Sequence, residues 1–391
     1  MFFELNRFDR FMLSFWLLGP FILMLGRFAA DFWLSSIVLI FLIKSFWNLD
    51  WSWVKTDWLK YLYPLFFLFI MSSLFSDETL FSLGESLAWL RFPLFALAVQ
   101  KLFSNNQKFI DLIIISIVLA IFILLFIGLL EVLFDPKPRL NWPFSKQIPG
   151  SYMAKVCIFG IIFFTSYSIK DFKLYNIFSS LLTFIIITYV IFTGERMSLI
   201  IVLSSIFLTM VLSKEIKLTL IYFFTYLFLI LILMNVFGIQ KDRYISHTII
   251  DLFNVEESGY WTVWSSGINA FVQNFWFVIG PAYLAESCDK IPNVIDMEIG
   301  CENHPHNYYI QMLAETGIFG PFLLLFFVFG LIKFCWKNST SLNKNLSNFS
   351  FIVPLILFFP ISTSGDFFGQ TGNIFSWFSI SLALLISQKE L

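Results

Sequence analysis

Histidine is nearly absent from this chain: there are three in 391 residues, beside four cysteines and only 13% charged residues. An ordinary soluble domain carries roughly 25% charge, so this sequence lacks the polar coat that a water-facing surface of its size requires. Scarce cysteine excludes a disulfide-stapled scaffold, and no CxxC pair is present. A glycine-rich phosphate loop, a coiled-coil heptad and an internal repeat are missing too, which leaves no place for nucleotide hydrolysis. With a net charge of −1 and basic residues scattered singly, there is no stripe for nucleic acid.

What the chain has instead is apolar bulk: 58% of its residues are hydrophobic, 53 of them Phe. A bilayer core about 30 Å thick takes about 20 apolar residues per helix. Such runs recur about twelve times, among them 11–26, 80–103, 150–169, 349–364 and 372–387. The expected fold is an all-α polytopic membrane protein of about 12 transmembrane helices. Alternate loops divide the basic residues about fifteen to about eight. Basic residues are retained in the cytoplasm, so both termini are expected there. Residues 239–316 then form one long outer loop before the last three spans. The expected organisation is 1–238, nine transmembrane helices; 239–316, an outer loop domain with amphipathic helices; and 317–391, three more spans.

In that loop Trp261, Trp264, Ile268, Phe271 and Phe275 recur at steps of three and four, one face of a helix. Such a face either packs at the membrane interface or touches substrate. Cys288 and Cys301 share the loop and are expected to pair, as an outward compartment permits; Cys157 and Cys335 lie in or near apolar runs and read as buried thiols.

Two of the three histidines stand together in "CENHPHNYYIQMLAETGIFG". Pro305 suits the first turn of a helix running through Glu315, with Gly317 breaking it. On that helix His306 shares a face with Tyr309, Ile310 and Leu313, while Glu315 points the other way and cannot orient it. The spacing of His304 and His306 is no recognised tetrahedral zinc pattern, so no metal is expected. A helix cap or a general base remains. The second signal, "VIFTGERMSLIIVL", sets Glu195 and Arg196 between two apolar runs on the outer side, against the positive-inside bias. There the arginine snorkels as an anchor, makes a local arrangement with Glu195, or forks onto phosphate oxygens. Arg91 with Glu85, and Lys155, are further charges inside apolar runs and weaker candidates.

These motifs resemble those of the O-antigen ligase and polymerase superfamily. His306-Asn307, nine residues, Gly317, two residues and Gly320 match its signature, and Gly194-Glu195-Arg196 resembles its outer Gly-x-Arg. The resemblance covers nearly the whole chain. It implies an enzyme of the bacterial inner membrane, working on the periplasmic side without metal or other cofactor. A glycan linked to undecaprenyl pyrophosphate would be the donor, and lipid A core, another lipid-linked glycan or a protein the acceptor, with membrane lipids around it and no nucleic acid. It implies His306 as catalytic base, with Asn307, His304, Glu315, Gly317 and Gly320 in support. Arg196 heads the pyrophosphate contacts, followed by Arg243, Arg139 and Arg91. One departure stands out: where the family often has an arginine four residues before a loop tryptophan, Tyr260 precedes Trp264. Arg243 or Arg139 would then replace it. Ligase is the favoured reading, polymerase or protein O-oligosaccharyltransferase the alternative, and a flippase the distant one.

Overall fold

The computed structural model describes residues 7–103, 107–145, 148–168, 174–213, 216–236, 242–246, 258–273, 279–291, 304–337, 348–360 and 365–388, with a few single positions between them. It is all-helical, 78% helix, with no strand among the described residues. The helices are α1 (Arg7–Leu17), α2 (Gly19–Ile22), α3 (Arg27–Trp47), α4 (Leu59–Leu74), α5 (Thr79–Trp89), α6 (Arg91–Phe103), α7 (Gln107–Phe134), α8 (Pro149–Lys155), α9 (Ile158–Ser168), α10 (Leu174–Thr193), α11 (Arg196–Leu212) and α12 (Ile216–Val236). They continue with α13 (Gly259–Gln273), α14 (Tyr308–Thr316), α15 (Phe319–Lys337), α16 (Ile352–Leu357) and α17 (Gln370–Ile386).

Among the described residues four helical stretches are long and apolar enough to cross a membrane: Arg27–Trp47, Thr79–Phe103, Lys108–Phe134 and Phe319–Lys337. A fifth is α8 with α9, bent by 58°. Several expected spans are shorter or interrupted: 11–26 breaks between α1 and α2, 80–103 divides at Leu90, and 349–364 keeps only the six residues of α16. Outward-facing Phe28 is 85% exposed and Phe32 62%, and exposed Leu, Ile and Phe recur on α7, α12 and α15. That much bare hydrocarbon suits lipid rather than water.

Lipid tails are as apolar as leucine, so helix association here rests on close packing and interhelical hydrogen bonds. Both are visible around α17, whose residues Asn373 to Ile386 are all buried. Trp89 of α5 meets Trp377 of α17 edge-on at 5.9 Å and stacks on Phe367 at 5.1 Å. Where α8 bends into α9, the Ser379 hydroxyl of α17 donates to the Lys155 carbonyl, satisfying one acceptor at the break. Trp58 donates from its indole to Gln100 at 3.0 Å, tying α4 to α6.

The loop helix α13 packs through small residues rather than its aromatic face. Val263, Ser266, Gly267 and Ala270 are buried, and a Cβ on Gly267 would come within 2.9 Å of Ile310 on α14. Small residues let the two backbones approach. Phe275 lies beyond the helix end at Gln273.

Candidate functional site

Most of the candidate residues sit on or beside two turns. The first joins α10 to α11. Gly194 takes φ 65°, and a Cβ there would sit 2.8 Å from Arg139 Nε, so only glycine lets the Arg139 side chain lie across the turn. Arg139 Nε donates to the Thr193 carbonyl at 2.9 Å. Its loop is folded back by buried Glu131, which accepts from the Asn141 amide at 3.0 Å and the Trp142 amide at 2.8 Å. Glu195, next in the turn, accepts from the amides of Gly150 (2.7 Å) and Ser151 (2.9 Å) at the start of α8, and from the Ser198 hydroxyl at 3.0 Å. Burial pushes its carboxyl up to about 7, against those hydrogen bonds and the nearby charge of Arg139.

The second turn leads into α14. The helix begins at Tyr308, with Asn307 as N-cap accepting from the Tyr309 and Ile310 amides. His306 therefore precedes the helix instead of sharing its face with Tyr309 and Leu313. Asparagine at the cap satisfies two otherwise orphaned amides and outweighs the preference of Pro305 for a first helical turn. Asn307 also donates to the Pro360 carbonyl at 2.8 Å, fastening the cap to the loop before α17. His306 is held at φ 54°, a left-handed conformation that is costly for a side chain with a Cβ and typical of functional turns. Gly317 ends α14 at φ 74°, where a Cβ would strike the Trp276 carbonyl oxygen. Gly320 lies against Thr316 and the Met312 carbonyl.

Glu315 faces away from His306. Its carboxylate accepts from the Ala282 amide at 3.0 Å and from the Gln311 side chain at 3.2 Å, while the same Gln311 amide donates to Asp366 at 2.7 Å. Burial raises both carboxyls, Glu315 far above the usual carboxylate range with the Asp366 charge as second cause. Gln311 thus fixes α14 to the 366–368 loop, completed by the Phe367 amide donating to its Oε1 at 2.8 Å.

Tyr260 joins the two turns. The Arg196 guanidinium lies 5.6 Å from its ring centroid, in cation–π range, and the His306 ring stands perpendicular to it at 6.3 Å. The position where the departure was noted is therefore the link between the motifs. Arg139, Lys155, Glu195, Arg196 and Tyr260 line one cavity of about 220 Å³. Three cations against one carboxyl fit a polyanion. The structure does not bring Arg91 there: it pairs with Asp31 at 3.0 Å and lines a separate cavity with His304. The backbone of Arg243 belongs to a short helical turn, Asp242–Ser246, and its side chain lies outside the described residues. Cys288 is disulfide-bonded and Cys157 and Cys335 are free thiols; Cys301 lies outside the described residues.

Sequence reasoning passed over Glu195 as an anchor of α8, Gln311 with Asp366 as the brace of α14, and Tyr260 as the link. Glu195 carried a signal as a glutamate beside the suspect arginine and Tyr260 one as the place of a missing arginine; Gln311 and Asp366 carried none. Compared with protein families, residues 181–327 match the O-antigen ligase family model. The match runs from α10 into α15 and includes both turns, so the resemblance to the O-antigen ligase superfamily is shown. That family is one of glycosyltransferase-like proteins of polysaccharide assembly, and the apolar helices suit a multi-pass membrane protein. No curated protein matches the chain.

Proposed function

We propose, with the O-antigen ligase domain of residues 181–327 as the premise, that the chain moves a glycan from undecaprenyl pyrophosphate onto an acceptor hydroxyl at the periplasmic face of a bacterial inner membrane. The supporting observation is the contact of Tyr260 with both Arg196 and His306, which sets a cationic cavity beside an imidazole. In this reading His306 takes the proton of the acceptor hydroxyl. The hydroxyl oxygen bonds to the anomeric carbon as the bond from that carbon to the pyrophosphate oxygen breaks. The departing pyrophosphate keeps the bonding electrons, and Arg139, Lys155 and Arg196 neutralise its charge in a partly dry site. Arg243, whose neighbour Tyr244 donates from its hydroxyl to the Val190 carbonyl of α10, is held as a further pyrophosphate contact.

The twelve-span layout with both termini cytoplasmic, the division at 239 and 317, and a Cys288–Cys301 bridge belong to the same proposal. Lipid A core is the favoured acceptor because the complete His-Asn to Gly-x-x-Gly spacing resembles that of the ligase branch, although polymerases and protein glycosylases share much of it. In a reconstituted assay with a defined undecaprenyl-pyrophosphate glycan, product is expected only when lipid A core is added. Chain lengthening without it establishes a polymerase instead, and transfer to a pilin-like protein a protein glycosylase. His306→Ala is expected to lower turnover by roughly 10² to 10⁴ with donor binding kept. Near-normal turnover returns His306 to a capping role.

A further inference from the structure

A second, separate cavity has a volume of about 520 Å³. His304 lines it, and its ring lies 4.3 Å from that of His306. The two cavities share a boundary in the chain: Gly365 lines the cationic one, and the next residue, Asp366, lines the other.

Their charges differ in kind. The second cavity sets Arg27 and Arg91 against Glu85, Glu286 and Asp366. Both of its arginines are already engaged, Arg91 by Asp31 and Arg27 by the Gln370 side chain. A pyrophosphate entering here would meet more carboxylates than cations. A hydroxyl-rich sugar meets the reverse of that difficulty: carboxylates accept from its hydroxyls and guanidinium groups donate to them. The cavity wall also carries bare backbone at Gly372, where a Cβ would meet nothing within 4 Å, which leaves room beside the start of α17.

Resting on the transfer reaction above, we infer that this cavity is the acceptor subsite, taking the neutral or amino-sugar end of the acceptor glycan, with Glu85 and Glu286 accepting from its hydroxyls. The acceptor then reaches the His304–His306 pair from the Arg27/Arg91 side while the donor pyrophosphate lies on the Arg196 side. Base and nucleophile meet between them. The geometry calls for no phosphate on the acceptor's reacting sugar.

The test uses full-length protein in nanodiscs. A cysteine replacing Ala88, a wall residue of this cavity, is labelled with a bulky maleimide and compared with the same variant unlabelled. Transfer is expected to fall at least about tenfold, while binding of undecaprenyl pyrophosphate stays within about twofold. Glu85→Gln is expected to raise KM for the acceptor about tenfold and leave KM for the donor unchanged. A reacting sugar that carries a phosphate is expected to transfer at least about tenfold more slowly than its neutral counterpart. The assignment is overturned if the label reduces undecaprenyl pyrophosphate binding or spares transfer, if Glu85→Gln acts on the donor KM, or if the phosphorylated sugar transfers equally well. Protein that transfers to none of the three acceptor classes fails the proposed reaction itself, and the acceptor subsite with it. Protein that transfers but gives any of the other results fails only the subsite.

Discussion

The two turns of the candidate site reach similar backbone conformations by opposite means. Gly194 adopts φ 65° with no Cβ, and the vacancy is filled by Arg139. His306 adopts φ 54° with its Cβ in place, and neighbours hold it there: Asn307 capping α14 and bound to Pro360, and Pro305 packed near Gly267. A turn that only has to hold cations in position is relaxed. The turn that presents the proposed base is strained, which is where strain is expected to persist in a functional site.

That contrast breaks most sharply at His306. His306→Gly is expected to cut turnover by roughly 10² to 10⁴, yet to stabilise the fold by about 1 kcal/mol, because glycine enters the left-handed region without the cost borne by residues with a Cβ. Thermal unfolding in detergent beside a turnover assay checks both signs. Loss of both stability and activity would show the histidine to be a structural element of the turn. The mirror experiment is Gly194→Ala, which adds a Cβ where Arg139 already lies. It is expected to destabilise by about 1–2 kcal/mol and weaken binding of undecaprenyl pyrophosphate, with little change in turnover at saturating donor.

Asn307 separates capping from fastening. Asn307→Asp keeps an acceptor for the Tyr309 and Ile310 amides but loses the donor to Pro360, whereas Asn307→Ala loses both. The expected order of stability is wild type, then Asp, then Ala, with the cap alone worth about 0.5–2 kcal/mol. Equal melting temperatures for the two variants would mean that the Pro360 bond carries the whole effect.

The smallest effect is in pH. Glu195 is raised from an ordinary 4.5 to about 7, chiefly by burial. Between those values the folded protein holds a proton that the unfolded chain has released, so this contribution is present below about 4.5 and is lost as pH rises through about 7. Melting temperature is expected to decline across that window, and Glu195→Gln to flatten the decline. A steeper decline in the variant would contradict the assignment.

Both turns were legible because their chemistry is local: a His-Asn pair before an apolar helix, a glycine two residues before an arginine, and Gly317 ending α14. The interruptions were not. Runs 80–103 and 150–169 read as apolar spans in sequence despite Glu85, Arg91, Lys101 and Lys155, and the hydroxyl that satisfies a carbonyl at the bend of the second comes from Ser379, more than two hundred positions away. The start of α14 was misplaced because proline at a first turn and asparagine at a cap are competing local signals, and the bond to Pro360 that favours the cap is tertiary. Tyr260 stood out only as a missing arginine; nothing in its neighbours foretells that it meets Arg196 and His306 together. The count of spans suffers likewise, since hydropathy registers composition and not where a helix ends.

Glu195 gives the cationic cavity a counter-ion of its own. With its carboxyl near 7, this group is neither firmly charged nor firmly neutral at physiological pH; the Arg139 charge acts on it, and Lys155 and Arg196 line the same cavity. A pyrophosphate seated among those cations places fresh negative charge beside that carboxyl and drives it towards its protonated form. Donor capture would then be an exchange of anions accompanied by proton uptake. Calorimetry would register it as a binding enthalpy that changes with the ionisation heat of the buffer.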